Sequence, residues 1–126
     1  MKFQSDPAPA TAIRAYGPGW IALAGRGERI TTSVILSATQ SEPWAVERFE
    51  DLTQHHFAPL VAHRPELVIF GSGARLRFLP PTCLRTLIDA GIGVETMDTP
   101  AACRTWNVLL GEGRQALAAL LLEPQP

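Results

Sequence analysis

At 126 residues and 46% hydrophobic side chains, the chain can bury a core without disulfide staples. One domain is expected across residues 1–126, with loose tails at 1–10 and 123–126. Eleven basic against twelve acidic side chains leave a formal charge of −1, too little for a long-range field that gathers nucleic acid or an anionic membrane. The longest apolar run, Ala116 to Leu122, is far below the ~20 residues a helical bilayer span needs, so an integral membrane protein is not expected.

The N-terminus lacks the apolar stretch of a secretory signal, because Asp6, Pro7 and Pro9 interrupt it. It also lacks an Arg- and Ser-rich targeting extension, and a cytoplasmic protein is expected. From Ala12 to Leu36, short β-type runs alternate with turn residues: AIRAY, Gly17-Pro18-Gly19, WIALA, Gly25-Arg26-Gly27 and RITTSVIL. This predicts an antiparallel meander whose third strand is the whole RITTSVIL run, followed by a linker from Ser37 to Pro43. Thr53 stands at an N-cap position ahead of Phe57, Leu60 and Val61, predicting a short helix that Pro59 bends and Pro65 stops.

Leu67-Val68-Ile69-Phe70 is a continuous apolar run closed by Gly71, the pattern of a strand covered on both faces and central in its sheet. A second helix is predicted from Pro81 through Ile88, with Gly91 as a left-handed cap, and Ile92 to Met97 returns as a strand. Thr99 is expected to cap a third helix that has Pro100 in its first turn and buries Ala102, Cys103, Trp106, Leu109 and Leu110. Gly111 or Gly113 ends it, and Gln115 to Leu122 reads as a buried last strand. Alternating strands and helices from Leu67 onward define an α/β domain of three layers, a mixed central sheet with helices packed on it and an N-terminal antiparallel β meander.

Parallel neighbours at 67–70 and 92–97 would bring Gly71-Ser72-Gly73 beside Asp98-Thr99 at the carboxyl edge of the sheet, where open α/β sheets bind ligands. The amides after Phe70, the start of the third helix and Arg75 or Arg77 could hold an anion there, against a plain turn that needs small residues. No G-x-G-x-x-G and no Walker lysine accompany this fragment. Asn107 is a mediocre helix former inside a helix, so it pairs either with a nearby buried loop or with a ligand. Glu112-Gly113-Arg114 offers an acid and a guanidinium to the same crevice, or a charged turn.

Asp98 has no histidine, serine or cysteine placed beside it by a triad motif, so no catalytic residue is assigned. His55, His56 and His63 are not spaced to hold a metal, and no cofactor or metal is expected. Cys83 and Cys103 lack a C-x-x-C spacing and read as small buried hydrophobes. Trp20, Trp44 and Trp106 read as packing residues, since no basic residues interleave them as in a nucleic-acid platform.

The segments LVIFGSGARLRFLPP and GIGVETMDTPAACRTWNVLLGEGRQALAALL, with the Tyr16-Gly17 turn, resemble a widespread family of small domains. That family includes the mitochondrial complex I (NADH dehydrogenase) assembly factor three and the adipogenesis-associated domain protein, and this chain looks like a bacterial-type member. The resemblance implies a three-layer α/β fold and a non-enzymatic, protein-binding role in assembly, with a respiratory-complex assembly component as partner. The positions that match its motifs are Gly71, Gly73, Asp98, Thr99, Ala102, Asn107, Glu112, Gly113 and Arg114. The alternative is a small-molecule or anion binder, or an enzyme, using the crevice after residue 70.

Overall fold

A computed structural model describes residues 8–126. Strands β1 (Ile13–Gly17), β2 (Trp20–Leu23) and β3 (Arg29–Ile30) form a three-stranded antiparallel sheet in that order. A second sheet of five strands contains β4 (Val34–Leu36), β5 (Ser41–Pro43), β6 (Leu67–Gly71), β7 (Gly93–Met97) and β8 (Ala116–Leu120), in the order β5-β4-β8-β6-β7. β6 runs parallel to both β7 and β8, whereas β4 is antiparallel to β5 and β8, so the sheet is mixed.

The two-residue period of the strands sorts the core into two halves. Ile69, Ala118, Leu120, Val34 and Leu36 face helix α3 (Thr99–Gly111) and the meander. Val68, Phe70, Leu117, Ala119 and Ile35 face the opposite layer, built from α1 (Gln54–Phe57), a 3-10 turn at Ala58–His63 and α2 (Arg85–Asp89). That second half is aromatic: Phe57 meets both Trp44 and Phe70 edge-on, each with centroids 5.4 Å apart. Trp44 donates its Nε1–H to the carbonyl of His56 at 3.0 Å.

Most predicted elements occupy their expected places, and the departures have physical causes. RITTSVIL is not one strand: Thr31 and Thr32 are exposed, and the chain leaves the first sheet at Ile30 and enters the second at Val34. Ser33 fixes the crossing, accepting from Leu122 N–H through Oγ at 3.0 Å and from Trp44 N–H through its carbonyl at 2.9 Å. The expected linker 37–43 ends in edge strand β5, because the Ser37 hydroxyl accepts from the amides of Thr39 and Gln40 and closes a tight turn.

Thr53 caps α1 as expected, with His56 Nδ1 accepting from the Thr53 amide in return. Pro59 tightens the rest of that segment into the 3-10 turn. The cap of α3 is Asp98 rather than Thr99: its Oδ1 accepts from Ala101 N–H at 2.8 Å. The expected N-terminal tail lies partly outside the described residues, although the Ala10 carbonyl accepts from Gly25 N–H. At the other end Glu123, expected in a loose tail, is tied down by the contacts described next.

Candidate functional site

The parallel pair β6 and β7 brings Gly71-Ser72-Gly73 and Asp98-Thr99 to one edge of the sheet. What meets there is a closed set of hydrogen bonds. Ser72 N–H donates to Met97 O at 2.8 Å, and Gly73 N–H donates to Thr99 Oγ1 at 2.9 Å. Thr99 Oγ1 donates onward to Leu121 O at 2.9 Å, and Thr99 N–H donates to Gly73 O at 2.8 Å. In the first turn of α3 Pro100 has no amide hydrogen, Ala101 N–H is taken by the Asp98 carboxylate, and Ala102 N–H by the Asp98 carbonyl. None of these amides is left for an anion, so the expected anion cradle is a filled turn.

Gly71 is needed for that closure. A Cβ there would lie 2.9 Å from Thr99 Oγ1 and 3.2 Å from Ala102 Cβ, so the glycine lets α3 seat against β6. Gly73 has φ +101°, which disfavours any side chain.

Arg75 is exposed, and the guanidinium that works here belongs to Arg77. Arg77 donates to Ser72 O through Nε at 3.1 Å and Nη2 at 2.7 Å, and pairs through Nη2 with Glu123 Oε1. It also lies over the Phe49 ring, 4.5 Å from the centroid. The other Glu123 oxygen accepts from Phe49 N–H at 3.0 Å. The Ser72 hydroxyl donates to Arg75 O and accepts from Arg77 N–H, so residues 72–77 form a rigid knuckle. Alternation along Leu76-Arg77-Phe78-Leu79 is the available sign that Arg77 and Leu79 turn inward while Leu76 and Phe78 face out; Arg75, which precedes it, is also exposed.

Three of the proposed crevice residues stand elsewhere. Asn107 bonds the meander, accepting from Ile13 N–H through Oδ1 and donating to Ile13 O through Nδ2, each at 2.8 Å. Its role in the structure is thus the pairing with a neighbouring stretch of backbone. Glu112 and Arg114 follow the far end of α3, on the opposite edge of the sheet from Gly71. A helix of 13 residues separates them from Asp98, a span of about 20 Å. Arg114 borders a different depression there, beside Ser37, His63 and Gln115. Of the histidines, His56 belongs to the α1 cap and His63 Nε2 lies 3.2 Å from Glu42.

Next to the filled turn lies a mainly apolar cavity of about 360 Å³. The β1–β2 hairpin supplies Tyr16, Pro18 and Trp20, and the other wall is formed by Pro100, Cys103 and Leu121. Burial pushes the Cys103 thiol up to about 12, against a smaller opposing pull from Arg104. A thiol so placed stays protonated and is a poor nucleophile. Cys83, expected to be buried, is half-exposed.

A raised folded-state value means that the neutral thiol stabilises the fold fully below pH 9 and that this contribution falls as pH rises toward 12. Wild-type unfolding free energy should therefore drop by about 2–3 kcal/mol more than that of Cys103→Ala between pH 8 and 11. Urea titrations across that range measure the difference, and parallel curves would show that Cys103 ionises without penalty.

A mixed sheet between an α/meander layer and a second helical layer is the architecture of a Mth938-like domain, as the solved structures bear out. The chain superimposes on the solution structure of a Bordetella pertussis protein, itself described as a Mth938-like domain, with TM-score 0.81 and 32% identity over 99% of this chain and 94% of that one. A crystal structure of a Bordetella parapertussis protein gives TM-score 0.79 and 36% identity over 89% and 95% of the two chains.

Residues 13–121 match the family described as "Protein of unknown function (DUF498/DUF598)", and the chain belongs to it. Among curated relatives, NADH dehydrogenase (ubiquinone) 1 alpha subcomplex assembly factor 3 of Homo sapiens is 33% identical over 96% of this chain and 66% of its own length. The Bos taurus protein of the same name is 37% identical over 78% of this chain and 54% of its own length. The chain thus spans from about half to two-thirds of these assembly factors. An uncharacterised protein of Rhodobacter capsulatus is 36% identical over 93% of this chain and 89% of its own.

Proposed function

We propose that the chain is a non-enzymatic, protein-binding module that assists assembly of a respiratory NADH dehydrogenase. It would act on the cytoplasmic side and reach the membrane through its partner. The observation that carries this reading is the 33% identity to an assembly factor across 96% of the chain. Among the described residues no helix is long and apolar enough to cross a membrane.

The physical support is the knuckle at 72–77. It fixes an outward face where Leu76 is 51% and Phe78 71% exposed, beside the exposed Arg75. Large apolar side chains held rigidly in solvent suit a partner, because little ordering entropy is lost on docking. The interior groups of the knuckle, Ser72, Gly73 and Thr99, serve to hold that face.

The test is genetic and biochemical. Deleting the gene should reduce assembled NADH dehydrogenase in membranes, and a Leu76→Asp/Phe78→Asp double variant that melts like the wild type should fail to restore it. Normal assembly without the gene would overturn the role. Full rescue by the double variant would remove this face from it.

A further inference from the structure

The cavity beside the β1–β2 hairpin has features that a docking face at residues 75–78 does not use. Separate stretches of the chain enclose it: the hairpin turn, Gly73-Ala74, the start of α3, and the end of β8 with the residues that follow. At about 360 Å³ it falls within the size of small-ligand sites, and its lining is mainly apolar.

Within the hairpin, Tyr16 is paired with Ile21 and Gly17 with Trp20. Cross-strand partners share a face, so Tyr16 stands with buried Ile21 on the side of α3, where its hydroxyl accepts from Arg104 Nη1 at 2.8 Å. The Trp20 indole lies on the other face, under the Arg29 guanidinium. The wall toward α3 is therefore made by the Tyr16 ring, Pro100, Cys103 and Leu121.

The polar side chains of the inner wall have nothing left to offer a ligand. Thr99 Oγ1 both accepts and donates. Both Glu123 oxygens are bonded, and Arg77 already balances the charge of that carboxylate. An anion entering the cavity would face the carboxylate, and a cation would find it matched. Either would give up its hydration for no partner. Burial holds the Cys103 thiol neutral in the same wall, a second sign that the site tolerates negative charge poorly.

We infer that this cavity binds a neutral, apolar small molecule with a compact ring system, and that its occupant clamps the hairpin turn against α3. The site is distinct from the assembly reading and does not depend on it.

Three probes that share one ring system and differ in charge test this: 2-methylnaphthalene, 2-naphthoate and 2-naphthylmethylammonium. Each is titrated into the full ¹⁵N-labelled chain and followed by its amide shifts. The hydrocarbon should move the amides of residues 16–20 and 73–74 and leave those of α2 in place. It should bind at least about tenfold more tightly than either charged probe. Its presence should slow hydrogen exchange at the Gly17–Trp20 end of the hairpin severalfold, with β7 unchanged.

Cys103→Phe should fill the cavity from the α3 side and abolish hydrocarbon binding. Should that variant fold poorly, Ala74→Trp alters an exposed position on the rim, and with unchanged melting it should weaken the hydrocarbon at least about tenfold. No binding of the hydrocarbon, equal or tighter binding of a charged probe, shifts centred away from the cavity, unchanged hairpin exchange, or affinity that survives these replacements would each overturn the assignment.

Discussion

Replacing Arg77 with leucine should lower the unfolding free energy by about 2–4 kcal/mol, the lower end reflecting partial solvent access to the pair. The substitution removes both donors from Ser72 O and leaves the half-buried Glu123 carboxylate without its cation. It also removes the guanidinium from over the Phe49 ring, which stays stacked on Phe70. The loss should exceed that of Arg75→Leu several-fold, since Arg75 is exposed. Denaturant unfolding of Arg77→Leu, Glu123→Gln and the double variant gives the coupling between the two residues. A coupling below about 0.5 kcal/mol would mean that the pair is merely solvated.

Trp106→Ala should cost about 3–5 kcal/mol, among the largest losses for a single side chain in this fold. The indole is almost completely buried between α3 and the strands, and its Nε1–H donates to Thr11 O at 2.9 Å. Neighbouring Asn107 holds both backbone groups of Ile13. Two consecutive residues of α3 therefore bind the meander to the rest of the molecule. Trp106→Phe should retain much of the packing, and Asn107→Leu should leave the core intact while freeing the Ile13 amide to exchange. Hydrogen exchange separates these effects: Asn107→Leu should accelerate β1 with little change in β6. Uniform acceleration across both sheets would show that the meander has no independent opening.

How far this arrangement can be read from residues alone depends on whether the signal is local. The apolar run at 67–70, the Thr53 cap and the proline-started helix after residue 98 are signals carried within a few residues, and each element forms there. RITTSVIL reads as one strand because β-branched residues continue on both sides of Ser33 with no Gly, Pro, Asn or Asp to mark a break. The switch between sheets is enforced by Leu122 and Trp44, remote in sequence from Ser33. Thr99 and Asp98 are both good caps by type. Only the tertiary engagement of Thr99 Oγ1 with Gly73 and Leu121 leaves the capping to Asp98.

The candidate crevice is legible only in part for the same reason. The parallel register of β6 and β7 brings Gly71, Ser72, Gly73, Asp98 and Thr99 together, as the alternating pattern implies. Sequence proximity to α3 suggests that Asn107, Glu112 and Arg114 join them, but the length of the helix carries the last two to the other edge. Tyr16 and Trp20 give no sign of bordering a cavity, because their opposite wall comes from a helix and a strand about 80 residues or more further along.

The position of β8 carries a kinetic implication. It follows every other described strand along the chain yet lies in the middle of its sheet, with β4 on one side and β6 on the other. Until those residues leave the ribosome, the β4–β5 hairpin and the β6–β7 pair have nothing to join them, and their facing edges stay open. At ordinary elongation rates the roughly twenty residues between the end of β7 and the start of β8 take on the order of a few seconds. A nascent chain so exposed is at its most vulnerable to edge-to-edge association just before β8 emerges, and a stop codon ahead of residue 116 would leave the two strand pairs unjoined rather than yield a weakened domain.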